Sequence, residues 1–507
     1  MKRFFTLCMC FISLYGNAQT IDDFLEISRQ DYEGSARFAS MGGAFGALGG
    51  DITTFSTNPA GIAVFRRHAI SLTTSLNHIS NQADYTGLRN NDTRTVLGLS
   101  NIGFMGVSEE TEGGLKWSFG FSYLKKANYN KRTFAKSNYT TNSFLNGIAN
   151  KANDAKAYFN ENDLGRTNAF DRFGTMDWDV VSAYKTYLIN WDDTDEGEWK
   201  GDFGENDRSA QNVEILRRGS SSEIVLTTGM NVKDKFYAGM TLGIPMIDYK
   251  HRLFYNENAE LGNTSEFDRL NYNSDLAIDG YGFNLKMGFI YRLLPSLRIG
   301  AAFHTPDYIF TRFNGDEDDE SGINSRYFST METYFKTPVA MEHFTSQPDM
   351  EYYTFLTEMN TPFKAIGSIA YTLKKLALFS FDCEYADYSR IKLKGYAPVG
   401  EYNNDIKKYF QSALTFRFGT EVWIKNIALR AGYIYSQSAD KTYDLSRNTY
   451  SAGIGYSYKN FQFDLAYVQA NYNEFYTPYY TANLITENIK NNRFSFTFGW
   501  RFSDYFE

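Results

Sequence analysis

Apolar residues occupy every second position over short stretches along most of this chain. Trp117, Phe119, Phe121 and Tyr123 alternate with Ser118, Gly120 and Ser122, and Phe283, Leu285, Met287, Phe289 and Tyr291 alternate with Asn284, Lys286 and Gly288. Near the end, Phe494, Phe496, Phe498, Trp500 and Phe502 alternate with Ser495, Thr497, Gly499 and Arg501. Successive strand side chains point to opposite faces, so each stretch has one apolar face and one face of Ser, Gly or charge. The pattern predicts about fourteen strands, near 69–79, 95–106, 115–125, 222–232, 235–254, 280–292, 296–304, 363–373, 376–388, 410–424, 427–436, 447–458, 461–470 and 493–502. A soluble sandwich turns the apolar face inward and a membrane barrel turns it toward lipid, so periodicity leaves both open.

The connections separate the two. The odd-numbered ones are long, at 80–94, 126–221, 255–279, 305–362, 389–409, 437–446 and 471–492. The even-numbered ones are short and include Lys374-Lys375, Lys425-Asn426 and Lys459-Asn460. Such parity is expected where alternate turns face opposite sides of a membrane, short on the periplasmic side and long outside. A Greek-key sandwich mixes the lengths. An even strand number puts both termini on the periplasmic side, so residues before the first strand can fold back into the lumen. The last strand ends on the aromatic Phe502. The 126–221 connection is too long to be structureless. Within it Trp178, Val181, Tyr184, Leu188 and Trp191 recur at helical spacing, which predicts short helices over the external mouth.

The segment before the first strand is unlike the rest. Gly34 to Ala63 is rich in Gly, Ala and Ser and carries only Arg37 and Asp51 as charges. Small residues allow close backbone approach but bury too little apolar area to form a core alone, so the segment needs something larger around it. Asn58-Pro59 is a good helix start, with Asn as cap and Pro at the first helical position. The glycines at 42, 43, 46, 49 and 50 are not a phosphate loop, since no Gly-Lys-Ser/Thr is present and the segment precedes a strand.

These residues also carry a likeness. Arg37, Met41 to Ala44, Asp51 and Asn58 to Gly61, placed between a signal-like leader and the first strand, resemble the hatch of the FadL/TodX family. Leu376 to Ser389, Ile427 to Ser436 and Tyr450 to Tyr458 resemble the later strands of that family. The resemblance implies an outer-membrane channel for long-chain fatty acids or other hydrophobic compounds, corked by its own N-terminal residues. It also implies a gate at Asn58, Pro59, Ala60 and Gly61, with Phe38, Met41, Phe45, Leu48 and Phe55 as substrate-binding candidates on the hatch. Relatives described as haem receptors or secretion partners keep an alternative open: a plugged-barrel scaffold or receptor that binds partner proteins or haem through its external loops.

Composition adjusts this picture at a few points. Lys2 and Arg3, an apolar run from Phe4 to Tyr15 and Gly16-Asn17-Ala18 before Gln19 read as a secretory signal cleaved after Ala18. Cys8 and Cys10 leave with it, so Cys383 is the only mature cysteine and no intramolecular disulfide or cysteine metal cluster can form. No run approaches the roughly 20 apolar residues of a membrane helix. The net charge of -8 excludes the basic face that nucleic acid needs. The expected domains are a signal peptide at 1–18, a plug at 19–67 and an outer-membrane barrel at 68–507 with the insertion at 126–221. The fold class is all-β, a transmembrane antiparallel barrel of about 14 strands with an N-terminal plug and helical insertions in the external loops.

No catalytic constellation stands out, so the expectation is a non-enzyme with no cofactor and no metal. His68, His78, His251, His304 and His343 are scattered without ligand spacing. Charges at predicted lumen positions are Lys286, Arg292, Arg298, Asp382, Glu384, Arg417, Arg430, Asp464 and Arg501. Both signs occur, so structural pairing is the first reading; the sharper one is that an Arg greets a cargo carboxylate. The acidic run Asp316 to Glu320 is either solvated or bridged by divalent cations to lipopolysaccharide. The expected partners are a hydrophobic small molecule and outer-membrane lipid and lipopolysaccharide, with no nucleic acid and a monomeric barrel. No energy source is encoded, so transport is expected to be passive.

Overall fold

Side chains on the apolar faces lie outside, and those on the polar faces lie inside. Phe119 is 60% exposed while its neighbours Ser118 and Ser122 are each 1% exposed. That inversion fits lipid and not water as the surrounding solvent. The computed structural model describes residues 21–155, 158–173, 177–193, 197–310, 324–336, 340–349, 353–354, 356–374, 376–395 and 399–502. The signal-like leader and the acidic run Asp316 to Glu320 lie outside the described residues.

Fourteen antiparallel strands close into a barrel. They are β1 His68–Tyr85, β2 Leu88–Val107, β3 Leu115–Asn128, β4 Ser209–Val232, β5 Phe236–Ala259, β6 Phe267–Leu294 and β7 Leu297–His304. The second half comprises β8 Lys364–Leu373, β9 Ala377–Asp387, β10 Ser412–Ile424, β11 Ile427–Ser436, β12 Arg447–Tyr458, β13 Phe461–Tyr476 and β14 Ile485–Phe502. The seam runs from His68↔Phe502 to Tyr85↔Ile485, so first and last strands complete the cylinder. All predicted strands are present, and closure pairs the first strand with the last along its whole length.

The connections differ from expectation at the outer end. Residues 80–94 are strand, not loop: β1 and β2 continue to a two-residue turn at Thr86 and Gly87, both at positive φ (51° and 84°), as a tight hairpin requires. Residues 255–279 and 471–492 likewise belong largely to β5, β6, β13 and β14. The strands overshoot the membrane, and outside it the outward positions become polar, as at Asn91, Thr93 and Thr95. Alternation of apolar and polar residues therefore stops marking strand where ladder hydrogen bonds continue.

The apolar core lies within and above the barrel. The N-terminal segment holds α1 Ile21–Ser28, α2 Ala36–Ser40, α3 Thr54–Thr57 and a 3₁₀ turn Pro59–Val64. The long insertion folds as α4 Phe144–Asp154, α5 Glu161–Leu164, α6 Ala169–Arg172 and α7 Trp178–Lys185, with a hairpin of Ile189–Asp192 and Glu198–Gly201. The expected amphipathic helix is shorter than its spacing suggests. Trp178 and Val181 are buried in α7, but Leu188 follows it and Trp191 sits in the hairpin, edge-on to Trp199. A later loop adds α8 Val399–Tyr409. Insertion, α1, α8 and the outer halves of β5 and β6 share one large apolar cluster, with Phe24 of α1 edge-on to Tyr402 of α8.

Beside α7 in this cap, Lys151 Nζ lies 2.8 Å from Asp179 and 3.6 Å from Asp177. Burial pushes the Asp177 carboxyl up to about 6, Asp179 and Glu401 adding to it and Lys151 opposing it. The folded cap thus holds a proton that the unfolded chain releases near pH 4, so this contribution to stability is lost as pH rises from about 4 to about 6. Amide exchange in α7, corrected for intrinsic rates, is expected to be slower at pH 4.5 than at pH 7. In Asp177→Asn that difference is expected to shrink.

Candidate functional site

The plug is fixed to the wall by polar ties as well as by apolar packing. Ser35 caps α2 by accepting from Phe38 N at 3.0 Å and donates to Asp51 at 2.6 Å. Ala36 N donates to Thr497 Oγ1 of β14 and Gly46 N to Asp382 of β9, at 2.7 and 2.9 Å. The largest tie is Arg37, whose guanidinium makes a bidentate pair with Glu421 of β10 at 2.9 and 3.0 Å. Glu421 also pairs with Arg430, which reaches Asp464 at 2.7 Å. This chain of alternating charge crosses from the plug through three strands.

The lower end of the plug is built by Asn58 to Gly61, all buried. Asn58 Oδ1 accepts from Ala60 N at 3.1 Å, with Pro59 opening the 3₁₀ turn. The turn lies against wall backbone: a Cβ on Gly239 would fall 2.4 Å from Pro59, and one on Gly288 would fall 1.9 Å from Asn58 Oδ1. Glycine inside these strands thus marks a close approach.

The five hatch candidates separate into two groups. Phe38, Met41, Phe45 and Leu48 form one apolar cluster with Leu124, Ala370 and Leu378 of the wall. Phe55 belongs to another, with Ile52, Ile62 and Met105. Phe38 alone among them lines the lumen cavity; Met41, Phe45, Leu48 and Phe55 are packed beneath or beside it.

That cavity, of about 140 Å³, lies above the plug. Phe38, Ile434, Leu445 and Val468 give it an apolar lining, interspersed with four arginines and four carboxylates. Arg447 pairs with Asp31 at 2.7 Å and Arg417 with Glu384 at 2.9 Å. Among the described residues Arg29 and Arg493 form no ion pair, and Nε of both Arg447 and Arg493 is buried without a partner. Burial, followed by the adjoining Arg447 guanidinium, holds Arg29 below its ordinary range. The cavity therefore holds guanidinium donors that its own carboxylates leave unpartnered, and a carboxylate or phosphate is the natural guest for them.

Beside the cavity the wall is incomplete. β2 and β3 pair only from Asn101↔Leu124 to Val107↔Ser118, whereas β2 stays paired with β1 out to the Tyr85↔Leu88 turn. Each flank is irregular there, with register shifts at Thr73/Thr74 opposite Ser100 and at Lys125/Ala127. Past its bulge the chain turns inward, and Lys131–Lys136 pairs with β4 while Thr133 accepts from Asn81 of β1 at 2.9 Å. Glu33 of the plug occupies the break. Its N–H donates to Lys125 O at 3.1 Å, as a ladder partner would. Its carboxylate accepts from Ser75, Ser100 and Asn77 at 2.8, 2.5 and 3.2 Å. One buried residue thus bridges both flanks, its carboxylate on β1 and β2 and its backbone N–H on β3.

Of the lumen charges expected from sequence, only Glu384 and Arg417 line the cavity. Arg430 and Asp464 serve the Arg37 network and Lys286 pairs with buried Glu223. Asp382 receives Gly46 N, Arg298 donates to Leu48 O, Arg292 to Pro295 O and Arg501 to Gln462. Glu33, Arg29, Arg447 and Arg493 are not among the charges that sequence reasoning finds. Glu33 sits in no periodic pattern, but Arg447 and Arg493 stand on lumen faces that alternation already defines.

Removing the central carboxylate by Glu421→Ala leaves Arg37 and Arg430 buried without that counter-charge. The expected cost is about 3–5 kcal/mol, read as a lower unfolding temperature in detergent and faster proteolysis within residues 21–67.

No protein-family model matches the sequence, and no curated protein matches it either. Solved structures do. The toluene transporter TodX of P. putida is 11% identical over 94% of this chain and 100% of its own, with a TM-score of 0.52. A FadL homologue of Pseudomonas aeruginosa is 10% identical over 92% of this chain and 98% of its own, with a TM-score of 0.51. Strand number, closure and N-terminal plug together make this chain a FadL/TodX-like outer-membrane barrel in fold.

Proposed function

We propose that this protein is a passive outer-membrane channel for hydrophobic molecules with an anionic end, long-chain fatty acids being the type. The carrying observation is the β2–β3 break, which is closed by the plug and not by ladder hydrogen bonds. Cargo collected under the cap places its acidic end against Arg29, Arg447 and Arg493, and its apolar part against Phe38 and Val468. Release of Glu33 opens the break, and the apolar part passes sideways into lipid. Met41, Phe45, Leu48 and Phe55 hold the plug in register and meet cargo only when it shifts. Asn58 to Gly61 seats the lower end and acts as the gate against axial leakage. Transport relatives in the same fold, a toluene transporter and a FadL homologue, support a hydrophobic cargo. The scaffold reading finds its support in the external insertion, yet the apolar residues of that insertion are largely spent on the cap's own core.

Hydrogen bonds to a charged acceptor contribute roughly 1.5–3 kcal/mol each, so Glu33→Ala is expected to raise passive uptake of labelled fatty acid several-fold. Unchanged uptake removes the latch. Deletion of Asn58 to Gly61 is expected to change uptake and to raise single-channel conductance in planar bilayers. If both stay at the wild-type level, the gate assignment is wrong.

A further inference from the structure

Large side chains cover most of the lipid-facing wall, and a run of small ones opens a recess in it. The β10–β11 ladder sets Thr420 opposite Ala431, both pointing outward. The Thr420 hydroxyl donates to Leu378 O at 3.1 Å and so presents only its methyl group. Across β9 the row rises to Phe379 and Tyr371. One register step toward the outer end, Phe381, Phe418, Tyr433 and Tyr450 form a continuous aromatic shelf, with ring centroids 4.8, 6.4 and 5.3 Å apart. The result is an apolar recess of about 540 Å³ spanning β8 to β11, about 14 Å across at the usual strand spacing.

Its depth and surroundings identify the occupant. Thr420 lies five residues from Lys425 in the periplasmic turn, about 13 Å along the membrane normal for a tilted strand. That places the recess within the periplasmic leaflet, whose hydrocarbon half is about 15 Å thick. The two hairpins that frame it, β8–β9 and β10–β11, end in exposed Lys374 and Lys425 at the level of the lipid headgroups. Among the described residues neither lysine has an ion-pair partner.

We propose that this recess is a binding site for a glycerophospholipid of the periplasmic leaflet, with one acyl chain under the aromatic shelf and the phosphate drawn to Lys374 and Lys425. The site is independent of cargo transport, because every residue that forms it faces away from the lumen or lies in a turn. It is also close to the plug. The floor of the recess is the backbone of Gly419 and Gly432, and on the lumen side Met41 and Gly42 lie so near that a Cβ on either glycine would come within 2.5 Å of them.

The test is native mass spectrometry of the full-length barrel purified from outer membranes in mild detergent, followed by titration with palmitoyl-oleoyl phosphatidylglycerol. Wild type is expected to retain one phospholipid per barrel. Ala431→Phe, which fills the recess from outside, is expected to lower retention at least fivefold, as is Thr420→Leu if the first variant assembles poorly. Lys374→Glu combined with Lys425→Glu is expected to weaken phosphatidylglycerol binding, while Ile299→Phe, lipid-facing but outside the recess, leaves it unchanged. Heat-modifiable gel mobility establishes that each variant is folded. Absence of retained lipid in wild type overturns the proposal, as does full retention in both Ala431→Phe and Thr420→Leu. A wild-type dimer that Ala431→Phe converts to monomer overturns it in favour of a contact between copies.

Discussion

A barrel of fourteen strands encloses a bore wider than its own side chains can fill, and the inner faces of those strands are polar. Either water fills such a bore or something must satisfy the buried groups. Here the plug does so, and the Arg37–Glu421 pair is the contact on which the arrangement turns. Without the plug, Glu421, Arg430 and Asp464 would face an open lumen with one positive charge between two negative ones. Without the wall, Gly34 to Ala63 has neither the apolar area nor the propensity to hold a fold. Plug and barrel are each incomplete, and the same hydrogen bonds complete both.

The polar ties of this joint, set beside its apolar clusters, have a mechanical consequence. Pulling apolar surfaces apart costs free energy roughly in proportion to the area exposed, and water returns nothing. When hydrogen bonds and ion pairs open, water largely replaces the missing partner, so the net cost of each is much smaller than its strength in isolation. A plug held by Ser35, Arg37, Glu33 and Gly46 can therefore seal tightly while dry and still rearrange when wetted. The tight steric seat at Gly239 and Gly288 lies at the lower end, away from the wall break. Loosening the upper limb at Glu33 does not require the lower end to move.

Alternation such as Phe119 beside Ser118 made the strands legible but fitted sandwich and barrel alike; the parity of the connections pointed to the barrel, although 80–94 is strand with a two-residue turn. Strand number followed from the alternation, and the plug followed from composition and position. Strand length did not, since beyond the membrane the ladder continues through residues such as Asn90 and Asp92 that carry no apolar signal. The site was only half legible. Phe38 and Arg417 stood out by type and face. Glu33 owes its role to where β2 and β3 part, and register shifts near Ser100 and Lys126 leave no mark in hydropathy. The helical spacing of Trp178 to Trp191 misled for a related reason: residues buried in one cluster share a spacing without sharing a helix.

The polar cavity and the apolar cargo are compatible once the two ends of an amphiphile are considered separately. A wholly apolar molecule would displace water from Arg29, Arg447 and Arg493 without replacing their hydrogen bonds, which is unfavourable. A molecule with an acidic end supplies them, and its apolar part then needs only a path that avoids water. The break between β2 and β3 lies beside the same cavity, with Glu33 lining both. A head held in the lumen and a tail admitted through the wall is thus one pose and not two successive sites. In the proposed pose the guest's carboxylate adds a negative charge to a cavity that already holds Glu26, Asp31, Glu33 and Glu384, which weakens the Glu33 clasp by like-charge repulsion. Under the proposed function, cargo with an acid group would help to open its own exit, whereas a neutral hydrocarbon of the same size would not.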